Sequence, residues 1–159
     1  MLTVNGSPSP AVQASIVAGA PGIFTIPATG LGNAILVNLS DYSVAAPSGS
    51  LPGFTTHPIA RGQAYFYVNG LGAMTPAIAD GSGTCTAASG LCNANATPTV
   101  FVGGISAQVN FAGQAPAYPG VNQVNIIVPQ NAPTGNSVSL VVQSADGSVI
   151  SNSSTIAVQ

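Results

Sequence analysis

The sequence predicts an all-β fold, a two-sheet β-sandwich with long loops, from three observations. Its 159 residues include 19 Gly and 13 Pro, so turn punctuation is dense. Val, Ile, Thr and Ala fill the intervals in apolar runs too short for helices of ten or more residues. Those runs either alternate apolar with polar positions or stay short and wholly apolar, as strands buried on one or both faces do. A chain of this length buries roughly 70% of its unfolded surface, enough for one full core, and a single domain is expected.

The strands are expected in the following order. Val12, Ala14 and Ile16 share one face of a first segment, and Ala34 to Val37 form a short buried run. Gln63 to Val68 should place Ala64, Phe66 and Val68 toward the core and Tyr65 and Tyr67 away from it, before the turn signal Asn69-Gly70. Thr99 to Val102 runs into Gly103-Gly104 and returns through Ala107 to Phe111, a hairpin. Val124, Ile126 and Val128 alternate until Pro129 stops the strand. Val138, Leu140 and Val142 lead to the turn Asp146-Gly147, and Thr155 to Val158 returns as the last strand. Seven or more short strands with regular turns indicate a sandwich. The stretches Ser40 to Pro58 and Ala77 to Pro98 read as long loops at its ends or edges.

Charge is nearly absent. Arg61, Asp41, Asp80 and Asp146 carry every formal charge, giving a net charge of −2, with no Lys and no Glu. A surface of Ser, Thr, Asn, Gln, Gly and apolar atoms suits packing against copies of itself or against neutral polymer, because few ions are desolvated when two faces meet. One Arg cannot neutralise a phosphate track, so nucleic acid is excluded as a partner. Gly, Pro or Asn interrupts every apolar run within about ten residues, too early for a membrane span. The N-terminus lacks the basic residues and apolar stretch of a signal peptide, so a mature form or a piece of a longer chain is expected.

Cys85 and Cys92 stand in a small-residue loop. A metal site needs about four ligands and only His57 remains to help, so a local disulfide is expected, and with it an oxidising compartment such as the cell exterior.

Residues 2–17 echo the closing segment from Val141 to Val158: both read as strand, Gly turn, Ser-rich stretch, strand. Residues 1–17 are therefore read as an N-terminal strand or hairpin extension, a donor segment, and residues 18–159 as the sandwich. A hairpin orphaned from a preceding body exposes backbone and an apolar face, and it must pair with its own sandwich or with a neighbour's.

Several motifs occur together in order: Ala20-Pro21-Gly22-Ile23-Phe24-Thr25, Ala60-Arg61-Gly62 through Val68-Asn69-Gly70-Leu71-Gly72, Val102-Gly103-Gly104-Ile105-Ser106-Ala107-Gln108-Val109, Phe111-Ala112-Gly113-Gln114-Ala115-Pro116, Gln123 to Pro129, and Thr155 to Gln159. In this the chain resembles, from about Ile16 onward, the uncharacterised C-terminal domain family of large secreted acidobacterial proteins, which is similar to IPT/TIG immunoglobulin-like domains. The resemblance implies an immunoglobulin-like β-sandwich and an extracellular setting, with no catalytic residues to carry over. The Cys85 to Cys92 loop departs from that pattern as an insertion.

Little chemistry stands out. His57 could join Asp41 or Asp80 and a serine as a triad, but no nucleophile-elbow motif surrounds any Ser, and a surface loop histidine is the expectation. Asp80-Gly81 and Asp146-Gly147 read as turns, and no carboxylates cluster for calcium. Arg61, before Gly62, is expected to anchor a strand start or a single ion pair rather than to bind an anion. The acceptor patterns at Asn5, Asn38, Asn95 and Asn152 arise by chance in a chain this rich in Asn and Ser. Neither an enzyme nor a cofactor is expected. The leading expectation is a subunit of a filament or surface assembly in which the N-terminal segment, through Leu2, Val4, Val12, Ala14 and Ile16, adds as a strand to a neighbour. The alternative is a carbohydrate- or cell-surface-binding module using Tyr65 and Tyr67 as a ligand platform.

Overall fold

The computed structural model describes residues 3–79, 85, 90–116 and 118–159, and among them the regular structure is strand with no helix. In chain order the strands are β1 (Thr3–Val4), β2 (Ser7–Pro8), β3 (Gly22–Ile23), β4 (Thr25–Ile26), β5 (Asn33–Ala34), β6 (Leu36–Asn38), β7 (Val44–Ala45) and β8 (Thr56–His57). There follow β9 (Gln63–Asn69), β10 (Met74–Thr75), β11 (Asn93–Ala94), β12 (Thr99–Val102), β13 (Ile105–Gln114), β14 (Asn122–Ile127), β15 (Gly135–Gln143) and β16 (Ser154–Val158). β1 and β2 form a separate two-stranded hairpin around Asn5-Gly6, both at positive φ as a two-residue hairpin turn requires.

The remaining strands form one curled sheet whose main path runs β4-β5-β16-β15-β12-β13-β14-β9-β6-β7-β8, with β3 paired to β9 and the β10–β11 pair joined to β13 off that path. β13 joins its two halves. Residues 105–107 pair with β12, residues 108–114 pair with β14, and a register shift between Val109 and Phe111 bends the strand where it changes partner. The curl meets itself twice. β3 lies on β9 and β4 on β5, so the chain crosses between halves at Phe24, whose N–H donates to the Tyr67 carbonyl at 3.1 Å. Ile59 bridges Val158 in parallel, donating to the Ala157 carbonyl at 2.9 Å.

One core fills the curl, with Leu36, Phe66, Val124 and Ile126 from one half and Val100, Leu140, Val142 and Ile156 from the other, all at 1% exposure or less. Each such side chain contributes roughly 1.5–3 kcal/mol on burial. The alternation anticipated for β9 holds: Ala64, Phe66 and Val68 point inward, and Tyr65 and Tyr67 lie half-buried on the outer face. The Gly103-Gly104 hairpin and the strand ending before Pro129 also form.

Other expectations are corrected. The buried run Ala34 to Val37 is divided: β5 pairs with β4 and β16 while β6 pairs with β7 and β9, with the change of partner at Ile35. Asn69-Gly70 ends β9 without starting a hairpin, because Gly70 turns against Ala20, whose N–H donates to its carbonyl at 2.8 Å. Residues 9–17 form no strand. Pro8 and Pro10 interrupt the donors there, and no strand of the curled sheet lies alongside to complete a ladder.

Candidate functional site

The N-terminal segment is rooted by backbone and exposed beyond its root. Residues 18–20 run against residues 70–72 so closely that a β-carbon at Gly70 would lie 2.0 Å from the Ala20 carbonyl oxygen. Upstream, every residue from Thr3 to Ala18 is exposed. Val12 is 85% and Ile16 98% exposed, Val4 and Ala14 are exposed as well, and Leu2 lies outside the described residues. Of the residues expected to form an interface, Val4 thus lies in the β1–β2 hairpin and Val12, Ala14 and Ile16 in the strandless stretch that follows it, all of them exposed.

Three tyrosines form a row on the outer face. Tyr65 and Tyr67 project from β9 with ring centroids 5.7 Å apart, and Tyr118 approaches Tyr67 at 6.1 Å. The rings meet edge to face, at 78° and 66°, so they pack on one another and make a ridged surface. Burial pushes the Tyr67 phenol above its ordinary range, with the neighbouring Tyr65 adding to the shift. On β14, Gln123 pairs with Tyr67 and Asn125 with Tyr65, and the Gln123 amide donates to Asn125 Oδ1 at 2.7 Å. Aromatic rings and amides therefore lie side by side on this face.

Asp41, Ser43 and His57 do come together, across the parallel pairing of β7 with β8. Asp41 Oδ1 accepts from the Ser43 N–H at 3.0 Å and its Oγ–H at 2.7 Å, and His57 Nε2 lies 2.6 Å from Asp41 Oδ2 and 2.9 Å from Ser43 Oγ. His57 Nδ1 lies 2.9 Å from the Pro58 carbonyl, which can only accept. Nδ1 is therefore placed to donate and Nε2 faces a carboxylate and a hydroxyl, so the geometry favours the protonated ring. In a serine triad the acid and the hydroxyl sit on different nitrogens. Here they share Nε2, Ser43 is fully buried, and the group has no lone pair aimed at the hydroxyl. The cluster works as an electrostatic clamp between β7 and β8. The hydrogen bond to Pro58 and then the one to Asp41 raise the His57 pKa above 6.5, while the Ser43 backbone and hydroxyl, followed by His57, hold Asp41 down at about 2.

Asp146 sits in its expected turn, accepting from Ser144 Oγ–H at 2.6 Å and Ser148 N–H at 3.1 Å, and these bonds hold its pKa at about 2. Asp80 lies outside the described residues. Arg61 donates to the Ala132 carbonyl at 2.8 Å and so fixes the approach to β9. Cys85 and Cys92 form the expected disulfide, and the Cys92 carbonyl accepts the Gln114 N–H at 2.9 Å, tying the loop to β13. Closing so short a loop stabilises by about 2–3 kcal/mol in the chain-entropy view.

Two side chains hold the fold through contacts that no local sequence pattern marks. Asn152 binds both backbone groups of Ile23 and the Gly30 carbonyl, a contact between opposite ends of the chain that leaves no local signal. Asn38, like Asn152 part of an acceptor pattern in the sequence, caps the β6–β7 turn by accepting from the Ser40 N–H and Oγ–H.

Among the described residues no group of three or more His, Cys, Asp or Glu side chains is placed to hold a metal, and no helix is long and apolar enough to cross a membrane. No family model, curated protein or solved structure matches the chain.

Proposed function

We propose that this protein is a non-catalytic structural subunit of an extracellular filament or surface assembly, in which residues 1–17 of one copy add as a strand to the sheet of the next. The observation that carries this reading is the exposed N-terminal segment, in which Val12 is 85% and Ile16 98% exposed. An extended apolar segment gains by donating its backbone and one face to another sheet. The scarcity of charge keeps the desolvation cost of such a contact low. Repeated head to tail, the contact does not close and yields a filament. The disulfide supports an oxidising compartment, and the motifs shared with secreted acidobacterial domains of immunoglobulin-like type support the same setting.

The test is electron microscopy of the untreated protein beside its size-exclusion profile, with and without residues 1–17. Filaments or large oligomers that vanish on deletion establish the reading; a monomer in both forms refutes it.

The tyrosine row favours a second reading, a carbohydrate- or cell-surface-binding module. Rings flanked by amides suit the apolar faces and hydroxyls of sugars, and no charged side chain interrupts the row. Retention on insoluble polysaccharide that Tyr65→Ala and Tyr67→Ala abolish would support it; a wild type that is never retained would exclude it.

A further inference from the structure

The chain's only histidine, its only basic side chain and one of its three aspartates all fall within residues 41–61. Asp41 is paired with His57, so that pair is internally neutralised. Arg61 is left without a carboxylate among the described residues. It is half-buried, and its bond to the Ala132 carbonyl fixes the guanidinium while using one of its five N–H donors. Among the described residues the others have no partner.

Beside Arg61 opens a cleft of about 360 Å³, bordered by the β6–β7 turn and the start of β9 and lined in part by Asn38, Ser40 and Gln63. Asn38 is only 8% exposed. Its Oδ1 is consumed by the Ser40 N–H at 3.1 Å and Oγ–H at 3.0 Å, while its Nδ2 donors have no partner among the described residues. A largely buried amide whose donors remain open to solvent therefore lines the same cleft as a guanidinium with no carboxylate partner among the described residues. Among those residues no carboxylate lines this cleft, and an anionic acceptor is the partner a guanidinium binds most strongly, because charge-assisted bonds are the strong ones.

Two observations narrow the ligand. The volume falls within the range of small-molecule sites, more than a bare ion needs. Strand alternation puts Gln63 on the same outer face as Tyr65 and Tyr67, so the cleft lies at the end of the tyrosine row. We propose that the cleft binds the carboxylate of a uronic acid, with Arg61 and Asn38 Nδ2 donating to the carboxylate and Ser40 and Gln63 facing the ring hydroxyls. This deepens the second functional reading by naming an acidic sugar, yet it has its own test: binding of a single uronate needs no tyrosine row.

The experiment is a titration of the full chain with galacturonate, followed by amide and side-chain NMR shifts, with galactose as the neutral counterpart. Galacturonate is expected to give saturable shifts at Asn38 and Arg61 that weaken with added salt, and galactose to bind at least about tenfold more weakly. Asn38→Asp keeps both acceptor bonds to Ser40 but turns the donors into a carboxylate oxygen, and it should abolish binding. Gln63→Glu, at an exposed position, adds a like charge at the rim and should weaken binding about tenfold without disturbing the fold. Tyr67→Ala should leave galacturonate binding intact, so loss of polysaccharide retention in that variant separates the tyrosine row from the cleft. Equal binding of galactose and galacturonate, galacturonate binding unchanged in Gln63→Glu, or no saturable shift would each overturn the proposal.

Discussion

A β-carbon placed on Gly72 would lie 2.1 Å from the carbonyl oxygen of Ala18, and Gly72 holds a φ of +85°. The N-terminal segment is thus rooted where glycines let two backbones approach closer than any side chain allows. Gly72→Ala is expected to destabilise the protein by more than the roughly 1–2 kcal/mol of the left-handed conformation alone, because residues 18–20 must also move. Gly104→Ala is the control: its φ is +81° with nothing within 4 Å of the added carbon. Urea midpoints for the two variants check this, and equal losses would mean that the close approach contributes nothing.

Asn152 does the work of a missing strand. Its Oδ1 accepts the Ile23 N–H at 2.7 Å and its Nδ2 donates to the Ile23 carbonyl at 3.1 Å and the Gly30 carbonyl at 2.7 Å. At about 0.5–1.5 kcal/mol for each of the three bonds, Asn152→Ala should lose roughly 1.5–4.5 kcal/mol. Asn152→Asp should lose at least as much at neutral pH, since a carboxylate would face two carbonyl oxygens. Denaturant unfolding of both variants measures it, and an unperturbed Asn152→Asp would show that the bonds are not maintained in solution.

These two contacts mark the boundary of what the sequence makes legible. Phe66 could be placed in the core because alternation along one strand is a local pattern, and Gly103-Gly104 because a tight hairpin needs those conformations at adjacent residues. The two-residue strands β3, β4, β7 and β8 are too short to show any period, and they form because longer neighbours offer them a ladder. Asn152 meets Ile23 from 129 residues away, and Asp41 meets His57 through a parallel pairing that no local spacing encodes. Asn38 and Arg61 likewise meet at one cleft only because β6 lies beside β9.

The Asp41–His57 clamp gives stability a defined pH window. His57 has a raised pKa in the fold, so its contribution is complete below the ordinary value of 6.5 and is lost as pH rises through the raised value. Asp41 is lowered to about 2, so its contribution is present above the ordinary 3.8 and disappears as pH falls toward 2. Thermal midpoints should therefore plateau between about pH 4 and 6.5 and fall on both sides. In Asp41→Asn the alkaline decline should shrink, while part of the acid decline persists through Asp146, which is also lowered to about 2. A His57 ring that titrates below 6.5 by NMR would contradict the clamp.

Paired as an extended strand, residues 12–16 would put Val12 and Ile16 on one face and Gln13 and Ser15 on the other. Because both apolar residues are exposed in the single chain, Val12→Asp and Ile16→Asp should change its unfolding free energy by no more than about 0.5 kcal/mol. In an assembly the same side chains would be buried, each contributing roughly 1.5–3 kcal/mol. Replacing either by a carboxylate removes that contribution and adds the cost of desolvating a charge. Subunit affinity should then fall by at least about tenfold, since each 1.4 kcal/mol is a factor of ten. Ser15→Asp, on the opposite face, should leave assembly largely intact. Sedimentation velocity on the three variants decides the matter: selective dissociation by Val12→Asp and Ile16→Asp identifies the buried face. Equal dissociation by Ser15→Asp would mean that net charge governs association, and assembly untouched by all three would place the contact elsewhere.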